Sequence, residues 1–241
     1  MTGSRQIQVM DGDIRILPSS FYIRQIFLLL AAGVLFFGLS WHDKLDFWIS
    51  AQWYQVETHS FPLKDNFWLE LINHKLLKFS IIAFAVAALL WGIYRKKPRL
   101  IVAVALLGIG TAVVGILKAS SIHSCPWSLS EFGGQAAYLH LFESVSAGVN
   151  PGPGKCFPGG HSSCGFAVMA LFFWFYPQRP KLAWGCWCLG IFLGMMMGYG
   201  QVMRGAHFLS HNLWAGWWVW LSQLAGYWLV GRITVWRRQR H

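Results

Sequence analysis

Charge is what this sequence has least of. Asp, Glu, Lys and Arg make up 12% of its 241 residues, against roughly a quarter in an ordinary soluble domain. Acidic residues are scarcer still, 9 in all. With 55% hydrophobic and 17% aromatic residues beside it, this scarcity excludes a disordered chain. There is no internal repeat and no low-complexity tract. No basic run interleaved with aromatics occurs outside the terminal Arg237-Arg238-Gln239-Arg240, so nucleic acid is not an expected partner despite a formal net charge of +11. The first apolar stretch lies too deep in the chain, and lacks the small-residue cleavage site, to read as a removable signal peptide. What the sequence does have is 15 Trp and 18 Phe with a positive mean hydropathy, the composition of a polytopic membrane protein.

Six mostly apolar stretches can be read as membrane spans, at 23–41, 76–94, 100–117, 163–176, 182–199 and 213–230. The fourth is short unless its helix begins at about Pro158. The expected fold is an all-α bundle of six transmembrane helices, a single integral membrane domain over residues 1–241 with a short N-terminal segment, 1–22. An even number of spans puts both termini on one side. That side collects Arg5, Arg15, Arg24, Arg95, Lys96, Lys97, Arg99, Arg179, Lys181, Arg232, Arg237, Arg238 and Arg240 against Asp11 and Asp13. On the opposite side, Lys44, Lys64, Lys75, Lys78, Lys118, Lys155 and Arg204 are balanced by Asp43, Asp46, Glu57, Asp65, Glu70, Glu131 and Glu143. The positive-inside rule therefore predicts cytoplasmic termini and three long outer loops, and the whole +11 becomes a statement about orientation.

All the histidines except His241 fall in those outer loops (42, 59, 74, 123, 140, 161, 207 and 211). Chemistry is expected at the outer leaflet. Cys125 and Cys156 share one outer loop and could form a disulfide if the exterior is oxidising, although spacing alone does not establish a bridge. Trp127, Trp214, Trp217 and Trp218 read as interface anchors rather than sugar platforms.

Three outer segments concentrate polar groups. Lys118-Ala-Ser-Ser-Ile-His123-Ser-Cys125-Pro126-Trp127 begins where the third span ends, and Lys118 there either snorkels or faces a pocket. Cys156-Phe-Pro158-Gly159-Gly160-His161-Ser162-Ser163 runs from turn chemistry into the fourth span, whose free N–H groups would form an anion site beside His161. In Gln201-Val-Met-Arg204-Gly-Ala-His207-Phe-Leu-Ser210-His211, the two histidines are four apart and would share a helix face. Two readings compete for that pair. One is a metal ligand set for Zn or Fe, extended by His161. The other is a nucleophile or acid–base pair with Arg204 holding an anion. The mix of cations and hydroxyls, with few carboxylates nearby, favours the anion, and phosphate is the anion expected at headgroup level.

The order and spacing of these segments resemble the type 2 phosphatidic acid phosphatase superfamily, whose pattern is Lys-x6-Arg-Pro, Pro-Ser-Gly-His and Ser-Arg-x5-His-x3-Asp. Lys118 and Pro126 fit the first element, Pro158-Gly159-Gly160-His161 the second with Gly for Ser, and His207 the nucleophile of the third. The resemblance covers about residues 76–230. Cys125 stands at the Arg of the first element, Gln201 at the Arg of the third and His211 at its Asp. The phrases His-Ser-Cys-Pro-Trp and Arg-Gly-Ala-His-Phe-Leu-Ser-His look similar to a divergent bacterial subgroup.

The resemblance implies a lipid phosphatase of the bacterial inner membrane, acting at the periplasmic face on a phosphate or diphosphate monoester without metal or cofactor. His207 would attack phosphorus to give a phosphohistidine and His161 would protonate the leaving group. Lys118, His123, Gln201, Arg204, Gly160, Ser162 and Ser163 would bind the phosphate. His207 then needs a partner on its other ring nitrogen, in the way a carboxylate orients His in hydrolase triads. Here that partner would be His211 or Ser210, or Glu131 or Glu143 folding in. A lipid-to-lipid phosphotransferase, a His-ligated metalloenzyme and a non-catalytic lipid-binding protein are the alternatives.

Overall fold

The computed structural model describes residues 14–141 and 143–240. The charges tallied at Arg5, Asp11 and Asp13 and the terminal His241 lie outside the described residues, as do the side chains of His74 and Arg238. The elements are α1 (Ser19–Trp41), α2 (Lys44–Ala51), α3 (Leu77–Tyr94), α4 (Pro98–Ala119), α5 (Gly160–Ala167), α6 (Leu171–Phe175), α7 (Pro180–Met203) and α8 (Leu209–Gln239). Wide π-type turns over Leu69–Leu76 extend α3 backwards, and a 3-10 turn over Val168–Ala170 joins α5 to α6. Among the described residues there is no sheet, only two isolated bridges.

Four helices are long and apolar enough to cross a membrane: Ser19–Trp41, Leu69–Tyr94, Pro98–Ala119 and Pro180–Met203. That is the pattern of a multi-pass membrane protein. The other two of the six expected spans do not meet that description. The segment over Gly160–Phe175 is apolar but short, about 24 Å at 1.5 Å per residue against a hydrocarbon core of about 30 Å. α8 is long at 31 residues, but its tryptophans, glutamines and arginines keep it out of the apolar class.

The short segment is buried among its neighbours instead of facing outward. On α7, Gly190, Gly194 and Gly198 recur every four residues and so share a face. A Cβ on Gly190 would meet the Met169 backbone, one on Gly194 the Phe166 ring, and one on Gly165 the Gly194 backbone. Small residues at these positions let the two backbones approach closely, as in membrane helix pairs. At its far end Arg99, itself buried, donates to Phe173 O at 3.3 Å, Tyr176 O at 2.5 Å and Gln178 Oε1 at 2.6 Å, which satisfies carbonyls that α6 leaves open. Gln223 Nε2 donates to Ala167 O at 3.0 Å where the helix changes pitch.

Three tryptophans of α8 turn inward to α1. Trp214 donates to Ser40 Oγ at 3.1 Å, Trp217 to Leu29 O at 2.7 Å and Trp220 to Gln25 Oε1 at 3.0 Å, all on α1. An indole N–H in apolar surroundings requires an acceptor, and α1 supplies a row of them. Trp218 packs against the same core. Trp127 lies beneath the Lys64 ammonium, 4.9 Å from the ring centroid.

The end of α4 and the starts of α5 and α8 meet at one end of the bundle. Over them sits a second apolar cluster of Phe61, Leu129, Phe132, Ala136 and Phe208, flanked by Phe47, Tyr54 and Tyr138. Because Phe166 fills the space beside Gly194, Gly194→Val is expected to cost about 1–3 kcal/mol. Thermal unfolding of the purified protein in detergent, beside Gly185→Val, which has open space, measures the difference.

Candidate active site

α7 ends in a Schellman motif. Gly205 N donates to Val202 O and Ala206 N to Gln201 O, both at 2.9 Å, with Gly205 at φ +70. Only glycine fits, because a Cβ there would overlap the buried Phe61 ring. The two residues that follow Ala206, His207 and Phe208, are buried at 2% and 1% exposure. Phe208 is the N-cap of α8 and offers no side-chain bond. The cap comes from α2 instead: Asp46 Oδ1 accepts the Ser210 amide at 2.9 Å. Nothing in the local sequence announces this, since Asp46 lies 164 positions away.

The start of α8 is also tied to the start of α5. Gly159 N donates to His211 O at 2.8 Å. Asn212, fully buried, donates to Gly198 O at 3.2 Å and Phe208 O at 3.0 Å. A Cβ on Gly159 would lie 2.5 Å from Asn212 Oδ1. That explains why glycine stands where the family pattern has serine: Asn212 occupies the space. Sequence reasoning passed over both Asn212 and Asp46. Gly198, four residues on from Gly194, was the only local hint of the first.

Gly160 opens α5 without a side-chain cap, and Lys118, one residue from the end of α4, lies against it. A Cβ on Gly160 would be 3.1 Å from Lys118 Cδ and 3.7 Å from Nζ. His161 follows in the first turn. Ser162 and Ser163 do not offer their protons outward, since the hydroxyls donate to Gly159 O at 2.9 Å and Gly160 O at 2.6 Å.

His207 stands beside His211, with ring centroids 5.8 Å apart. Its Nδ1 faces neither His211 nor Ser210, the expected partners, but Cys156 Sγ at 3.4 Å. Cys156 is bonded to Cys125, so the disulfide left open by spacing is present. Glu131 and Glu143 do not fold in either: their carboxylates accept from Ser130 Oγ and the His140 amide. Burial holds His207 well below its ordinary pKa of 6.5, reinforced by the positive charges of Lys118, His211 and His161 and opposed by the Cys156 carbonyl. The ring is neutral at pH 7.

Of three other expected phosphate ligands, two have polar partners of their own and the third has none at its amide nitrogen among the described residues. His123 uses both ring nitrogens, with Nε2 3.3 Å from His140 O and Nδ1 3.3 Å from Ser121 Oγ. The Phe157 ring packs against both His123 and His211, with centroids 5.5 Å and 5.3 Å away, and burial lowers the His123 pKa. Arg204, the C-cap of α7, turns its Nε to Lys64 O at 2.8 Å. Gln201 is buried at 3% exposure, and its Nε2 has no partner among the described residues.

The metal reading fares differently from its sequence form. Among the described residues the donor atoms that converge are those of Cys156, His207 and His211, without His161. With Cys156 in a disulfide the thiolate is lost, and two imidazoles beside a bridge sulfur make a poor donor set.

Burial raises the Asp46 carboxyl to about 6, against the lowering effect of its bonds from Ser210 and Leu209. The folded protein thus keeps a proton that the unfolded chain gives up near pH 4, and this contribution to stability is lost as pH rises to about 6. Asp46→Asn, which still accepts the Ser210 amide, is expected to remove that decline. Asp46→Ala loses the cap, at about 1 kcal/mol. Thermal midpoints at pH 4.5 and 7.5 test both.

Lys118, Gly160, His161, His207 and His211 thus come together from α4, α5, the α7–α8 turn and α8, in the order of a known motif set. No curated protein and no solved structure matches the chain. A family model described as the PAP2 superfamily matches residues 99–234, a stretch that runs from the start of α4 through most of α8 and contains all these residues. On that match, the chain belongs to the PAP2 superfamily.

Proposed function

We propose that this protein is a lipid phosphatase of the bacterial inner membrane, with its termini in the cytoplasm, six helices through the bilayer and its site at the periplasmic face. Membership of the superfamily carries the phosphatase-like class. The observation that carries the finer reading is the convergence of Lys118 and His161 on a buried, neutral His207, whose pKa both lower. Cations gathered without a carboxylate among them favour an anion at that point.

In this reading His207 attacks phosphorus and forms an N–P bond while the P–O bond to the lipid breaks. His161 gives its proton to the departing oxygen. Water then attacks the phosphohistidine, the N–P bond breaks and inorganic phosphate leaves. Lys118 and the uncapped first turn of α5 hold the equatorial oxygens. Gln201, unpartnered at its Nε2 and at the position of a family arginine, is a further donor. The substrate is a phosphate or diphosphate on a lipid, because the site lies at the end of helices long enough to cross the bilayer.

Phosphate release from a panel of lipid phosphates by the purified protein tests the reading. His207→Ala is expected to abolish it, vanadate to inhibit it, and Lys118→Met to lower kcat/KM about 100-fold. Full activity in His207→Ala, with His211→Ala inactive, would overturn the assignment. Because His207 must be neutral to attack, the acid limb of kcat/KM is expected well below pH 6.5.

A further inference from the structure

We infer that the Cys125–Cys156 disulfide positions His207 by setting its tautomer, and that reducing the disulfide switches the site off. The inference rests on the reading of His207 as phosphoryl acceptor. Three kinds of observation carry it: where the bridge lies, what a sulfur can do there, and what it replaces.

Cys156 is fully buried, with Sγ 3.4 Å from His207 Nδ1 and 2.9 Å from Ala206 O. The second contact cannot be a hydrogen bond, since a disulfide sulfur carries no hydrogen. For the same reason Sγ can only accept from Nδ1. With an acceptor at Nδ1 the imidazole proton stays there, and the lone pair is left on Nε2, the nitrogen free to attack. In related enzymes a carboxylate does this work, and here that position is His211.

A thiol at the same point behaves differently. Its S–H has two acceptors within reach, Ala206 O and His207 Nδ1; donated to Nδ1, it makes that nitrogen the acceptor, and the ring proton moves to Nε2. The attacking lone pair is gone while the fold around it need not change. The two cysteines differ in access, Cys156 buried and Cys125 half-buried. A dithiol therefore attacks Cys125 Sγ, the S–S bond breaks and Cys156 leaves as a thiolate that takes up a proton. The second thiol of the reagent then displaces Cys125 and closes to its own disulfide. Two electrons and two protons pass to the protein.

The bridge also joins segments that meet at the site. Cys156 N donates to His123 O at 3.0 Å, Lys155 N to Ser121 O at 2.7 Å, and Trp127 N to Gly205 O at 3.0 Å. Cys125 stands where the family pattern has a phosphate-binding arginine. The exchange gives up a guanidinium and gains a hydrogen-free acceptor beside the nucleophile.

The test uses the oxidised full-length protein in detergent, with dioctanoyl phosphatidic acid as substrate, before and after dithiothreitol and again after reoxidation with diamide. Reduction is expected to lower kcat about tenfold or more at little-changed KM and unchanged helical circular dichroism, and reoxidation to restore it. In histidine-15N-labelled protein, the signal absent from His207→Gln should report Nδ1–H when oxidised and Nε2–H when reduced. Cys125→Ser, which leaves the Cys156 thiol in place, should match the reduced protein. Full kcat in the reduced, folded protein, or an unchanged tautomer, would overturn the proposal. So would loss of helical structure by both reduction and Cys125→Ser, which would make the bridge a structural tie alone. If the oxidised protein released no phosphate from any lipid phosphate, the phosphatase reading would fall, and the tautomer measurement would still decide the role of the bridge.

Discussion

A helix shorter than the bilayer is thick leaves its terminal N–H and C=O groups inside or at the edge of an apolar medium, where each unpaired group costs several kcal/mol. The segment over Gly160–Phe175 is such a helix, and the arrangement of the rest follows from how its needs are met. The α7 glycines let it sink against another backbone. Arg99 takes the carbonyls at its closed end and Gln223 the one freed by its 3-10 turn. At its open end the Gly159 amide is held by His211 O. The first-turn amides that follow have no side-chain cap. An anion is the partner that such a helix start is suited to, with Lys118 already beside it.

Electrostatics at that end follow from the same burial. Enclosed cations and imidazoles repel one another's protons, so His207 is kept neutral without a carboxylate nearby. Asp46 is the reverse case. Buried under α8, it holds its proton upward to about pH 6 while its oxygen caps the helix that carries His211. Asp46 therefore serves the backbone of α8 and leaves the histidine rings to other partners.

The departures from the family pattern share a physical logic. Glycine at 159 makes room for Asn212, and Asn212 locks α8 to Gly198 on the glycine face of α7. Cysteine at 125 completes the bridge whose other sulfur meets Nδ1 of His207. Each substitution is matched by a second residue far away in sequence, which is how a site can lose guanidinium and carboxylate groups and keep a defined geometry.

Much of this architecture is legible in the amino-acid sequence. Hydropathy marks the four long apolar helices closely, because a run of apolar side chains is a local property. The motif order singles out Lys118, His161 and His207, which the fold brings to one end of the bundle. What it does not give is the direction in which side chains point, which depends on segments distant in sequence. Ser162 and Ser163 turn inward to their own helix, His123 reaches His140 O, Arg204 reaches Lys64, and Trp214 and Trp217 meet acceptors on α1. Composition and spacing by themselves determined the membrane class, the helices and the roster of reactive groups. Only the tertiary structure decided which of those groups face one another, because a hydrogen-bond partner is chosen by whatever the packed backbone brings within about 3 Å.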